Sequence, residues 1–261
     1  MDLQLGGRTA VVTGASKGIG LAIAQALAGE GVSVVAGALR GSPELDALTT
    51  RADVRAVTVD LTTADGPGEL IAAAAEQHGG IDILVNNVGA VRPRLDGFLA
   101  VSDEDWQGTL TINFLAAVRT MRAAIPLMGD RPGASIVTIS SVNAVLPDPG
   151  VIDYSAAKGA LSNLCKSLSK ELAPGIRVNT ISPGPVRTDL WLGRSGVAAT
   201  VGGGTGHDPD DVVRQQEAAA PTGRFTWPKE VADLVLLLAS DRSANVTGSD
   251  VRIDGGLIAT L

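Results

Sequence analysis

Tyr154 and Lys158 stand four residues apart in Tyr154-Ser155-Ala156-Ala157-Lys158, so on a helix they share one face. Ser141 lies thirteen positions before the tyrosine, at the end of an apolar run that reads as a strand. A hydroxyl at a strand end and a phenol backed by an ammonium can converge on one carbonyl oxygen. That arrangement suits a proton-coupled reduction or oxidation. Taken singly, the same residues describe an amphipathic helix with a satisfied hydroxyl and a surface amine. The rest of the chain must therefore supply the site.

A short apolar strand over 9–13 runs into Gly14-Ala15-Ser16-Lys17-Gly18-Ile19-Gly20. Helical spacing follows at Ile19, Ile23, Ala26 and Leu27. Strand, glycine loop and helix form the setting of a dinucleotide site, where the pyrophosphate meets the amides of the helix N-terminus. The glycine spacing is G-x-x-x-G-x-G, and a tight turn without a ligand is the alternative reading. The second strand, over 32–36, leads into Gly37-Ala38-Leu39-Arg40. A carboxylate about 20 residues beyond the loop would bind a ribose 2′-hydroxyl. None is present there. Lys17 and Arg40 instead favour a 2′-phosphate, hence NADP(H), with NAD(H) and solvated surface charges as the other readings.

Further elements bring more polar residues to the same sheet edge. A third strand over 54–59 ends at Asp60-Leu61, where the carboxylate can accept from an adenine amino group or cap the helix predicted over 64–78. A fourth strand over 81–85 ends in Asn86-Asn87-Val88-Gly89, at the edge where open parallel sheets bind ligands. A long helix is predicted over 102–128, with Ser102 as its cap and Asn113, a poor helix former, in its middle. The fifth strand, over 135–140, precedes Ser141. A helix then runs to Leu172 along the stripe Ala157, Leu161, Leu164 and Leu168. The sixth strand, over 176–181, feeds Pro183, Gly184, Val186 and Thr188. Residues 189–220 show no strong period and read as an irregular, mobile lid with Trp191 at its base. A helix over 229–240 and a seventh strand over 251–253 close the chain. The alternation predicts an α/β fold: one doubly wound, parallel, seven-stranded sheet with helices on both faces, as a single domain over 1–261.

Composition narrows the function. The chain has 261 residues, 45% hydrophobic and 19% charged, which suits one large core. A net charge of −7 argues against a sequence-independent grip on nucleic acid. Cys165 is the only cysteine, so no internal disulfide can form, and with two histidines a His/Cys metal site is not expected. No segment reads as a targeting signal or a membrane span, so a cytoplasmic protein is expected.

Together these motifs resemble the short-chain dehydrogenase/reductase family over nearly the whole chain. The motifs are Thr13-Gly14 to Gly20, Asp60, Asn86-Asn87-Val88-Gly89, Asn113, Ser141, Tyr154-x-x-x-Lys158 and Pro183-Gly184. Val88 stands where the family has Ala, and Arg40 stands one place later than in NADP-type members. The resemblance implies a Rossmann-type oxidoreductase acting on a secondary alcohol or ketone. It implies Tyr154 as general acid/base, Lys158 lowering its pKa and binding the nicotinamide ribose, Ser141 orienting the carbonyl, and Asn113 holding a proton-relay water. Cofactor contacts would come from Gly14, Ser16, Lys17, Gly18, Ile19, Gly20, Arg40, Asp60, Leu61, Asn86, Asn87, Gly89, Tyr154, Lys158, Pro183, Gly184, Val186 and Thr188. A homotetramer built on the two long helices is also implied. The alternatives are a 3-oxoacyl-carrier-protein reductase, with Arg92, Arg94 and Arg194 for docking the carrier, and an NAD-dependent sugar or polyol dehydrogenase, with Asn143, Asp148 and Asp153 as polar contacts. A non-catalytic nucleotide-sensing module is the reading from a different class.

Overall fold

The computed structural model describes residues 2–129 and 131–260. Seven strands form one parallel sheet: β1 Thr9–Thr13, β2 Ser33–Ala38, β3 Val54–Thr58, β4 Ile83–Asn86, β5 Ala134–Ile139, β6 Ile176–Pro183 and β7 Asp250–Ile253. Their order is β3-β2-β1-β4-β5-β6-β7. Every neighbouring pair is parallel. The order reverses between β1 and β4, and such a reversal opens a crevice at the carboxyl ends of the strands.

Both faces of the sheet are covered, which is why its inner strands read as unbroken apolar runs. Within each run the side chains still alternate. Ala10, Val12, Val34, Ala36, Ile83 and Val85 face one core with α1 Gly18–Gly29, α2 Pro43–Thr49 and α10 Pro228–Ala239. Val11, Val35, Leu84 and Ile136 face the other, against α3 Gly66–His78, α5 Ala116–Met128 and α6 Ile152–Glu171. Burying a single such Leu or Ile contributes about 1.5–3 kcal/mol, so the two clusters are the main source of stability.

Two expectations are adjusted. The helix predicted over 102–128 is not a plain α-helix: it runs without a break as α4 Asp103–Leu110, a π turn Thr111–Leu115, and α5. Asn113 sits in that turn, buried, and its Nδ2 donates to the carbonyls of Thr109 at 3.0 Å and Ala90 at 2.8 Å. The widened turn is what lets a side-chain amide aim inward from mid-helix. The segment 189–220 is not irregular either. It carries α7 Asp189–Leu192, α8 Val197–Thr205 and α9 Pro209–Ala219. Its Gly-rich middle lacks a hydrophobic period because α8 packs closely on the turn that leads into α9: a Cβ at Gly202 would lie 2.7 Å from the His207 carbonyl oxygen. Asp208 then caps α9, accepting from the Asp210 amide at 2.8 Å. Among the described residues, no helix is long and apolar enough to cross a membrane.

Candidate active site

The crevice between β1 and β4 is the mouth of a cleft of about 1050 Å³. The glycine loop forms one wall. A Cβ at Gly20 would lie 2.2 Å from the Gly14 carbonyl oxygen, so only glycine lets the helix start against its own loop. Lys17 occupies the N-cap position of α1 without a capping side-chain bond, and no acid stands in the first turn. The first amides of α1 therefore have no side-chain acceptor, and the helix end is set up for an anion. Ser42 braces this wall. Its hydroxyl donates to the Ser16 carbonyl at 2.6 Å while accepting the Leu45 amide at the start of α2. Sequence reasoning missed both α2 and Ser42, although Ser42-Pro43-Glu44 carries the cap, proline and acid of a helix start.

Asn87 ties the end of β4 to the loop. Its Nδ2 donates to the carbonyls of Thr13 at 2.9 Å and Gly14 at 3.2 Å. The Thr13 hydroxyl accepts the amides of Asn87 and Val88 in return. Lys17 and Arg40 both line the cleft, as do Leu39, Gly41 and Ser42. Among the described residues neither cation forms a salt bridge. Gly14, Ser16, Gly18, Ile19, Gly89, Pro183, Gly184, Val186 and Thr188 line the same cleft.

Four predicted site residues do not reach the cleft wall. Asp60 is exposed, and its carboxylate turns back to accept from the Thr62 amide at 2.9 Å and the Thr62 hydroxyl at 2.7 Å. Those bonds hold its pKa below the usual carboxylate range. Leu61 packs in the core beneath α3. Asn86 is buried within the sheet, its Nδ2 pointing to the Thr138 hydroxyl at 3.4 Å. Asn113 lies behind the wall with both amide hydrogens used, and its Oδ1 accepts the Ala90 amide at 3.1 Å. It clamps the loop after β4 against α4.

The opposite wall holds the reactive groups. Ser141 follows β5 in an extended conformation. Its hydroxyl donates to Asn143 Oδ1 at 3.1 Å and accepts the Asn143 amide at 3.1 Å. Tyr154 lies in the first turn of α6. Burial raises its pKa above the ordinary value, and a hydrogen bond with Ser141 acts the other way. Lys158, one turn on, is 3% exposed. Its Nζ donates to the Ile139 carbonyl at 2.9 Å and sits 5.7 Å from the centre of the Tyr154 ring. Burial pushes its pKa down to about 8, which leaves it largely charged at pH 7. Burial also pushes the Cys165 thiol up to about 11, so this neighbour is neutral. Gly89 separates Lys158 from Asn113: a Cβ there would lie 2.8 Å from Asn113 Oδ1 and 3.6 Å from Lys158 Nζ.

A buried ion cluster fixes where α6 begins. The Asp153 side chain is 1% exposed. It accepts from Arg94 Nε at 3.0 Å, Arg94 Nη2 at 2.5 Å and the Thr109 hydroxyl at 2.8 Å. Arg94 also pairs with Asp105 at 2.9 Å. Asp153 is thus turned into the protein and is no substrate contact. Arg94 is consumed within the fold and is no docking cation. Beyond Tyr154 the cleft is lined by Leu146, Val151, Leu190, Trp191 and Leu257, with Asn143, Asp148, Asp189 and Gln216 as polar members. Trp191 also stacks edge-on against Phe225, with ring centres 5.3 Å apart, so it lines the cleft and anchors its segment together. Leu257 was missed because nothing local marks it; only the return of the chain past β7 brings it here.

A family model described as "Enoyl-(Acyl carrier protein) reductase" matches residues 14–258. The chain is 33% identical to the 3-oxoacyl-[acyl-carrier-protein] reductase FabG of Thermotoga maritima, over 98% of this chain and 100% of that protein. It is 37% identical to the oxidoreductase UcpA of Escherichia coli, over 97% and 95%. The solved structure of L-sorbose reductase from Gluconobacter frateurii, in complex with NADPH and L-sorbose, superposes with a TM-score of 0.91 at 34% identity and covers all of both chains.

Proposed function

This chain belongs to the short-chain dehydrogenase/reductase family of oxidoreductases that act on alcohol and ketone groups, and we propose that it is an NADP(H)-dependent reductase of uncharged ketones with Tyr154 as its proton donor. The observation that carries this reading is the shared wall: Ser141, Tyr154 and Lys158 line one cleft with the glycine loop. The bound nicotinamide would supply the hydride. The glycine loop and the N-terminus of α1 would hold its pyrophosphate, and Lys17 with Arg40 the 2′-phosphate. Pro183, Gly184, Val186 and Thr188 would meet the carboxamide end.

The side chains divide the proton work. Burial keeps the Tyr154 phenol protonated at neutral pH, so it is loaded as an acid before substrate arrives. Once the proton has left, the Lys158 ammonium stabilises the phenolate, having no carboxylate partner of its own among the described residues. Ser141 orients the carbonyl oxygen between them. Asn113 has no free N–H, so a relay water at this point would be held by its Oδ1 or by backbone carbonyls. The helices α7 to α9 serve as the substrate lid, with Trp191 as the fixed end. Assembly through α4, α5 and α6 as a homotetramer in the cytoplasm belongs to the same reading.

The apolar wall of Leu146, Val151, Leu190, Trp191 and Leu257 favours a largely apolar ketone. The L-sorbose reductase likeness supports a keto sugar as the second reading. A carrier-protein substrate is disfavoured because Arg94 is spent on Asp105 and Asp153. NADPH oxidation across cyclic ketones, keto sugars and ketoacyl thioesters, with NADH in parallel, tests the proposal. Turnover fastest with NADPH and an apolar ketone is expected; a preference for NADH or for thioesters would contradict it.

The phosphate assignment makes a separate prediction. Hydrogen bonds to a charged group contribute about 1.5–3 kcal/mol, so Lys17→Ala and Arg40→Ala should each weaken NADPH binding roughly 10- to 100-fold. NADH binding should change little. Fluorescence titration of both nucleotides reads this directly, and an equal loss for the two would remove Lys17 and Arg40 from the 2′-phosphate site.

A further inference from the structure

We infer that Leu257 sets the size of ketone this cleft accepts, as a fixed wall of the substrate pocket, and that Asp254 is the positioning residue that holds it there. This rests on the apolar-ketone reading above and adds two residues to it.

Leu257 follows β7 on a turn that is pinned from several sides. The Asp254 carboxylate accepts the Gly256 amide on Oδ1 at 2.9 Å and the Ile258 amide on Oδ2 at 3.0 Å, so both chain neighbours of Leu257 are bound to one side chain. The Leu257 amide donates to the Asp254 carbonyl at 3.3 Å. Gly255 and Gly256 hold positive φ values of 66° and 85°. A Cβ at Gly255 would lie 2.2 Å from Thr222 Oγ1, and one at Gly256 would lie 3.1 Å from Pro221 Cγ. The Thr222 amide donates back to the Gly255 carbonyl at 3.2 Å. On its other side the turn meets Gly184, where a Cβ would lie 3.0 Å from Asp254 Cα.

Leu257 therefore stands between the turn after β6, where the carboxamide end is proposed to rest, and Pro221 and Thr222, which immediately follow the lid segment. That is the substrate end of the cleft, away from Lys17 and Arg40. Two other apolar wall residues are held less firmly. Leu190, on the short helix α7, is 41% exposed, and Leu146 is 46% exposed, so both can turn aside for a larger ligand. Leu257 is half-buried on a turn with no such freedom. A wall that yields accommodates bulk, whereas a fixed one rejects it, because overpacking against it forces strain.

The experiment is calorimetric titration of the NADP⁺-loaded protein with cyclohexanone and with cyclooctanone. Wild type should bind the smaller ring more tightly. Leu257→Ala should raise the ratio of cyclooctanone to cyclohexanone affinity by roughly tenfold or more. Leu257→Phe should shift the ratio the other way, and it serves as the test if the alanine variant folds poorly. Asp254→Ala should also raise the ratio, but should add little when Leu257 is already alanine, since the loosened turn then carries no wall. A merely structural role for Asp254 would weaken both rings alike in either background. An unmoved ratio in the Leu257 variants, or an effect of Asp254→Ala that is the same with and without Leu257, would overturn the inference alone. Wild-type protein that binds neither ring would overturn it together with the apolar-ketone reading.

Discussion

Tyr154→Phe should lower kcat for ketone reduction by about 10²- to 10⁴-fold while leaving the fold and NADPH binding nearly intact. The substitution deletes one oxygen. Ser141 and Lys158 keep their own anchors, Asn143 and the Ile139 carbonyl, so neither should collapse into the space. A loss in kcat with little change in KM would mark an interaction made in the transition state. A loss carried by KM alone would make Tyr154 a binding residue, and undiminished turnover would move the proton donor elsewhere. A nucleotide-sensing module would be indifferent to the change, so the same variant separates the two classes of function.

Arg94→Met should destabilise the protein by about 3–5 kcal/mol, because it strands the Asp153 carboxylate in the interior. Burial alone would push that carboxyl up; bonds from Arg94 and Thr109 more than offset this and leave its pKa below the usual range. A carboxyl with a depressed folded pKa contributes stability above its unfolded pKa of about 3.9, and that stability is lost as pH falls through the folded value. The gap between wild type and Arg94→Met should therefore be full at neutral pH and shrink in acid. Adding Asp153→Asn to Arg94→Met should recover part of the loss, since the stranded charge is then gone. Denaturant unfolding at pH 7 and in acid, on all the variants, measures this. Additive losses would show that the two side chains act independently. Because Asp153 immediately precedes Tyr154, surviving protein should also lose activity through a loosened first turn of α6.

The sheet was readable because each strand is a short run of Val, Ile and Ala between turn residues, and because the chemistry clusters at the strands' carboxyl ends. Which face each side chain takes was not readable. Val11 and Val12 belong to opposite cores, yet a strand buried on both sides shows no alternation in its sequence. The motif residues at the cleft wall were found by type and spacing. Asp60 and Asn113 were found by the same signs, but local bonding turns one back on Thr62 and the other towards Ala90. Contacts across long chain separations left no local mark. Arg94 and Asp153 are 59 positions apart, and each looked like a surface charge available to a ligand. The helices of 189–220 were hidden for another reason: glycines lower helix propensity, and only close packing on the neighbouring turn restores it.

The most direct test of the account is the titration of Tyr154 itself, with and without bound NADP⁺. The cofactor-free protein should give a single phenolate transition with a midpoint above the ordinary tyrosine value of about 10, as burial dictates. Saturating NADP⁺ should lower it by about 1–3 units, because the positive nicotinamide ring then lies beside the phenol. A midpoint that does not move when NADP⁺ binds would contradict the account: the cofactor would then lie away from Tyr154, and the wall shared by Ser141, Tyr154 and Lys158 would not be where hydride and proton meet.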